Sequence, residues 1–411
     1  MTTSHASANL ENPGNLVNPV NLANLATAKR ARQTAFITLA LTLAAVQFSV
    51  AISQIFLALS LVSWVTSLVI ERRVPGAPAW ALPLLLFAAW TLVSVAFSLS
   101  PLDSLFRSKQ LVLLLLVPLV YDLVDEDTAL PLTTIVLAAG TASALVGIAQ
   151  YSIINPVLNY DYRRPIGAVG FAMTYSGLIM LTFGFAVARV LFMARGRLWP
   201  SLMLPALAAA LAVGFLRNAW VGACVGMAVL LVMRDFRLTA ILPIAVAAFL
   251  GFAPGRFVQR AYSIFNLNDV TVHDRLGMLR AGEHIVRDYP ITGVGPEMIA
   301  RVYPQYRAPD ALLQIAPHLH NVPLQIAAER GLPALGLWIW FIAAVLTGAW
   351  ALYRRAPRQG PQRFLAAAAI GAVVSMLGAG MFEHNFGDSE FLMLFLALIT
   401  LPFAVAKTKT V

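Results

Sequence analysis

The sequence predicts an all-α polytopic membrane protein with about twelve transmembrane helices and one long, partly helical loop outside the membrane. Composition and arrangement both point there. The 411 residues are 59% hydrophobic and only 12% charged, against about 25% charged in soluble globular chains, and the mean hydropathy is +0.76. Apolar runs of ~18 residues or more, enough to cross a bilayer, recur along the whole length. A single long interval, residues 254–336, is polar, and it holds four of the six histidines (His273, His284, His318, His320) and eight of the 29 Lys and Arg residues. The alternating ~10-residue segments of a transmembrane β-barrel are absent. The single cysteine, Cys224, lies in an apolar run; with no partner for a disulfide or thiolate metal site, it reads as a small buried hydrophobe.

In order along the chain, residues 1–32 are rich in Asn, Ala, Ser and Thr and lack a signal-peptide arrangement, so they read as a mobile cytoplasmic tail. Residues 33–253 read as nine spans. The run from about 34 to 70 is too long for one helix and is expected to break at Ser49–Ser53; the others fall near 77–98, 108–124, 129–151, 168–188, 198–216, 218–233 and 238–253. A loop over 254–331 follows. Residues 332–411 supply the last three spans, near 332–352, 364–382 and 391–406, and a cytoplasmic C-terminus. With the N-terminus inside, the cytoplasmic segments collect 16 of the 29 basic residues, among them Arg72, Arg73, Arg189, Arg197, Arg234, Arg354, Arg355 and Lys407. That is the bias the positive-inside rule requires. The net charge of +10 then reflects topology and contact with membrane lipids, and no nucleic acid partner is expected. The same orientation places the polar loop outside.

The other thirteen basic residues face outward, and twelve of them are arginine. They are Arg107, Lys109, Arg163, Arg164, Arg217 and eight arginines of the loop. A guanidinium offers a planar fork that binds phosphate oxygens two at a time, where lysine offers a point charge. An outer face rich in arginine at headgroup level suits a phosphate or diphosphate. Arg217, with apolar sequence on both sides, either snorkels to the interface or lines a polar cavity.

Within the loop, Val272–Asp288 is expected to be an amphipathic helix capped by Asp274. Leu276, Leu279 and Val286 share one face and Arg280, His284 and Arg287 another. Pro290 ends it, and Thr292-Gly293-Val294-Gly295-Pro296 makes a turn before a short helix over Met298–Tyr303. No strand precedes those glycines and no Gly-Lys-Ser/Thr follows them, which argues against a nucleotide site. His318 and His320, two apart, would point to different sides of a helix, and no neighbouring cysteine or His-Glu-x-x-His pattern completes a zinc set, so no metal and no cofactor are expected. A histidine beside a hydroxyl can act as general base; the alternative is an interfacial histidine bonded to backbone. Glu329 either orients such a group or caps a helix. The last outer loop, Glu383-His384-Asn385-Phe386-Gly387-Asp388, can reach the same place.

Four motifs give the chain its resemblance to a known family: Arg164-Pro165-Ile166-Gly167; Arg217-Asn218-Ala219-Trp220; Asp274-Arg275-Leu276-Gly277-Met278 continuing to Asp288-Tyr289-Pro290-Ile291-Thr292-Gly293-Val294-Gly295; and His320-Asn321 followed by Glu329 and Gly331. With its late outer loop, the chain resembles the bacterial O-antigen ligases, in the superfamily that also holds O-antigen polymerases and protein O-oligosaccharyltransferases. Ala334 stands where a second glycine is usual. The resemblance implies a GT-C-like glycosyltransferase of the inner membrane, working at the periplasmic face by inversion and without a metal. Its donor would be a polysaccharide on undecaprenyl diphosphate, and its acceptor a sugar hydroxyl of lipid A–core. By position, the resemblance makes His320 the base and Arg217 and Arg275 the diphosphate clamp, with Arg163, Arg164 and Arg280 in support and His318, Asn321 and Glu329 beside them. A polymerase or protein oligosaccharyltransferase would share the donor. A lipid-linked glycan transporter would be expected to show internal repeats and mid-span charges, which the sequence lacks.

Overall fold

The computed structural model describes residues 19–157, 164–263, 270–309, 311 and 313–407, all helix, turn and loop with no strand among them. The first half runs through α1 (Pro19–Ala45), α2 (Val50–Glu71), α3 (Ala81–Ala96), α4 (Pro101–Arg107), α5 (Leu116–Leu123), α6 (Glu126–Ala149), α7 (Asn155–Val157), α8 (Ala172–Phe192), α9 (Leu198–Val213) and α10 (Arg217–Arg234). The second continues with α11 (Ile241–Phe252), α12 (Gly255–Tyr262), α13 (Val270–Asp288), α14 (Ile299–Tyr306), α15 (Val322–Arg355), α16 (Pro361–Gly380) and α17 (Ser389–Lys407). A 3₁₀ stretch, Ser108–Leu115, joins α4 to α5 into one continuous rod.

Eight helical segments among the described residues are long and apolar enough to cross a membrane, and three more apolar helices, Ala81–Ala96, Leu198–Val213 and Phe236–Ala248, are shorter. By this measure eight spans are shown among the described residues, and the twelve expected from hydropathy are not confirmed. The reason is length: a 16-residue helix rises only ~24 Å, short of a ~30 Å hydrocarbon core. The expected break between the first two spans falls at residues 46–49, where Ser49 caps α2. The stretch expected as a mobile tail is helical from Pro19 onward; residues 1–18 lie outside the described set. Cys224 is exposed rather than buried, because the outer face of an apolar helix in this bundle is apolar too.

Two cores organise the molecule. The large one lies in the bundle, where α8, α16 and α17 are the most enclosed helices. α10 packs on α16 and α8, α3 on α15, and the α1–α2 hairpin on α6 through α1. Small residues let α10 and α16 approach: a Cβ at Gly226 would collide with Ser375 Oγ. The small core lies in the outer loop, where Met278, Ala281 and Ile285 of α13 meet Ile299, Val302 and Tyr303 of α14, with Leu319 and Ala328. The buried stripe of α13 is thus not the one expected. Leu276 is exposed, and α13 begins at Val270, so Asp274 lies inside the helix rather than at its cap. The buried positions are Met278, Ala281 and Ile285, a set displaced around the helix from Leu276, Leu279 and Val286.

The two cores are joined where α15 breaks. Gly331 takes φ +80° within that helix, and Pro333, which has no N–H, leaves the Glu329 carbonyl without its helical donor. The freed groups are taken up by the turn expected at 292–296. Val294 and Gly295 donate to the carbonyls of Ala328 (3.0 Å) and Glu329 (2.9 Å), and Leu332 donates to Pro290 O at 2.8 Å. Serines of the α3–α4 corner hold the turn from the other side: Ser94 Oγ donates to Thr292 O at 2.6 Å and Ser104 Oγ to Pro296 O at 3.0 Å. A Cβ at Gly331 would run into the Ile291 carbonyl. Gly331→Ala should therefore lower stability by about 3 kcal/mol and release the loop. A fall in the thermal midpoint of purified protein, with faster proteolysis inside 290–331, would bear this out; an unchanged midpoint would refute it.

Candidate active site

The site begins at the cap of α15. Asn321 Oδ1 accepts from Leu324 N at 2.9 Å, and its Nδ2 donates to Met381 O at 3.1 Å, so the cap also fixes the loop between α16 and α17. Just before it, His320 adopts φ +51°, a left-handed conformation that costs a β-carbon-bearing residue ~1 kcal/mol or more. The strain has a local effect. His318 and His320 do not diverge as on a helix; their rings meet edge-on with centroids 4.2 Å apart. Leu319 between them points into the loop's core, and its N–H donates to Gln325 Oε1 at 2.7 Å. Gln325 in turn donates to Glu329 at 2.7 Å. Glu329 is fully buried and also accepts from Glu297 N (2.9 Å) and Arg330 Nη1 (2.7 Å). Glu329 is thus the anchor of a chain that ends at the histidine backbone.

Both oxygens of Glu383 face His320 Nδ1, at 2.9 and 3.0 Å. A carboxylate can only accept, so Nδ1 carries the proton and Nε2 is left as the acceptor. Burial pushes the Glu383 carboxyl up, but the bond from His320 and the charges of His320 and His318 outweigh it and hold the pKa below its usual value. Arg275 Nη2 stands 3.7 Å from the same carboxylate. Burial, and then the His320 charge, lower His318 to about 4; burial, and then His318, lower His384 to about 3. At neutral pH these two are uncharged.

Beside this group opens a cavity of about 500 Å³, with Arg164, Thr174, Asn218, His318, Glu383 and Asp388 on its walls. Arg217, next to Asn218, begins α10 and is 7% exposed; its Nη1 donates to Ser263 O at 2.6 Å. Desolvation, and then the charge of Arg217, lower the Arg164 pKa, so two cations share this end of the cavity. The structure therefore gathers His318, His320, Asn321, Arg164, Arg217 and Arg275 in one region with Glu383. Arg280 is not among them, for it lies with His273 and Asp274 on a separate cleft. Arg163 lies outside the described residues. Glu383, 63 residues beyond His320, lies in the last loop expected to reach the site, but no signal in the sequence pointed to its pairing with His320.

Glu383 also alters the expectation about metals, because His318, His320 and Glu383 each bring a ligand atom within 4.8 Å of the others. The donor set alone would suit a cation. Arg275, however, already places one positive charge at that carboxylate, and His320 is oriented along its hydrogen bond to both oxygens. The arrangement fits an acid–base pair better.

Fold and site define a multi-pass helical membrane protein with an acid–base pair and arginines gathered at one end of its bundle. Residues 207–339, about a third of the chain, match the family model described as O-Antigen ligase. Its members are glycosyltransferase-like enzymes, ligases and polymerases. The matched region contains Arg217, Arg275, His320 and Glu329 but neither Arg164 nor Glu383. No curated protein matches the chain.

The neutral histidines make stability depend on pH. Below ~6.5 the unfolded chain takes up protons that folded His318 and His384 refuse until about pH 4 and about pH 3. Stability should fall as pH drops through that window, by at most ~1.4 kcal/mol per unit per histidine. Thermal midpoints from pH 7.5 to 5 should decline, and His318→Asn should flatten the slope; equal slopes in both proteins would contradict the assignment.

Proposed function

We propose that the protein is an O-antigen ligase, transferring polysaccharide from undecaprenyl diphosphate to a sugar hydroxyl of lipid A–core. The reaction is inverting and needs no metal, and it takes place at the periplasmic face of the inner membrane, with both termini in the cytoplasm. The observation that carries this reading is the His320–Glu383 pair beside an arginine-flanked cavity, at the end of the bundle where the 254–331 loop folds.

The chemistry follows from the geometry. An acceptor hydroxyl gives its proton to His320 Nε2 while its oxygen attacks the anomeric carbon. The bond from that carbon to the diphosphate oxygen breaks, and its electron pair leaves with the diphosphate. Charge thus develops on phosphate oxygens, where fixed guanidinium donors stabilise it more than they stabilise the bound ground state. Arg217 and Arg275 supply those donors, with Arg164 in support. Glu383 holds the Nδ1 tautomer and stabilises the imidazolium that forms, a role that requires it to stay ionised. Because both substrates are lipid-anchored, holding them side by side at headgroup level supplies much of the rate.

Three substitutions test this. His320→Ala should remove ligation by about 10²–10⁴-fold with normal insertion. Glu383→Gln should cost about 10²-fold, since the imidazolium loses its carboxylate. Arg217→Lys should fail to rescue, because a point charge lacks the fork. The readout is lipopolysaccharide and lipid-linked glycan from a host whose own gene is deleted. Bare core with long polymers on the carrier lipid is the expected loss of function; core with a single repeat would move the assignment to a polymerase, and an unchanged pattern would refute both.

A further inference from the structure

The end of the bundle opposite the cavity carries two groups of cations that are handled differently. In one, Arg73 binds Asp122 through both oxygens at 2.6 Å, and Arg32 and Trp64 Nε1 share that carboxylate. In the other, Arg189, Arg197 and Arg234 appear in none of the ion pairs among the described residues. Arg189, in the last turn of α8, is 7% exposed. It donates to Thr133 and Thr134 at 3.0 and 3.1 Å, lies over the Trp199 ring at 4.5 Å, and leaves its buried Nε without a partner. Met193 N closes that turn on Arg189 O at 3.1 Å, and Arg197 Nε donates to Met193 O. From α10, Arg234 comes to the same corner: the Gln359 amide lies between Arg234 Nη2 and Arg197 Nη2, and turned with its oxygen toward them it would accept from both, at 2.9 and 3.0 Å. Gly360, its neighbour, donates to Phe192 O at 2.9 Å.

We infer that this corner, between the ends of α8 and α10 and the α15–α16 connection, binds the phosphate of an anionic membrane lipid or a free phosphate. Two guanidiniums aimed at one neutral oxygen are a cradle for a charged one. A phosphate oxygen in place of the Gln359 oxygen would accept from both forks and supply the missing negative charge. Repulsion between the arginines, tolerated through one amide dipole, then becomes attraction to a shared anion. Basic pockets between helices at the membrane surface are where anionic headgroups are recognised. The site is independent of the catalytic reading, since it lies a full helix length away along α8, α10 and α16.

Native mass spectrometry of the intact, detergent-purified protein tests it, with phosphatidylglycerol and phosphatidylethanolamine as probes. The wild type should retain phosphatidylglycerol with about 10- to 30-fold preference, and Arg197→Gln with Arg234→Gln should abolish that preference. Arg354→Gln with Arg355→Gln removes equal charge from exposed positions nearby and should keep it. Displacement by millimolar inorganic phosphate would place free phosphate in the same cradle, and resistance to it would assign the site to the lipid headgroup. Equal loss in both double variants would show a general surface field and overturn the site, as would an absence of preference in the wild type. A ligation assay on each variant separates this outcome from failure of the catalytic reading.

Discussion

The carbonyl groups released at the break in α15 hold the site together. An unbroken helix there would satisfy its own backbone and have nothing to offer the outer loop. Because Gly331 turns the chain and Pro333 withholds a donor, the carbonyls of Ala328 and Glu329 accept from the 293–295 turn, while Trp90 Nε1 donates to Arg330 O at 2.9 Å. A buried backbone carbonyl left unpaired would cost ~1–3 kcal/mol, so each of these bonds is obligatory. The first turns of α15 thereby bridge the two cores, with Ala328 in that of the loop and Val322 and Ile326 in that of the bundle. His320 stands at the outer end of the piece that the break detaches.

Electrostatics divides the site into two halves. Around Glu383 the histidines share one carboxylate, and burial keeps His318 and His384 neutral. Around Arg164 and Arg217 the balance is reversed, with cations facing a cavity. Arg275 stands between, near enough to Glu383 for attraction and too far for a hydrogen bond. The region thus sets cations on one side and a carboxylate–histidine pair on the other.

Much of this was legible in the sequence. Hydropathy located the helices, the Ser49 break and the polar loop, because burial in lipid demands long apolar runs. Gly331-Leu332-Pro333 and the 292–296 turn were visible as signals, though their mutual hydrogen bonding was not. The legible features are those set by local chemistry. The differences have physical causes: the α13 stripe lies around the helix from the expected one because Met278, Ala281 and Ile285 are covered by residues distant in sequence, and three of the expected spans are helices shorter than a bilayer core. Glu383 escaped a firm assignment because its pairing with His320 depends on the packing of α15 against α16, which no local pattern records.

The broken helix also works as a measuring rod. Beyond Gly331, residues 332–355 form a rigid segment about 36 Å long at ~1.5 Å per residue, anchored by Arg354 and Arg355 at one end and by the outer turn at the other. His320 lies beyond the break, and the hydrogen bonds from the 293–295 turn and Leu332 tie its segment to the top of that rod. Its height above the bilayer centre is therefore set by helix length and tilt, and a change in membrane thickness would raise or lower it as a unit.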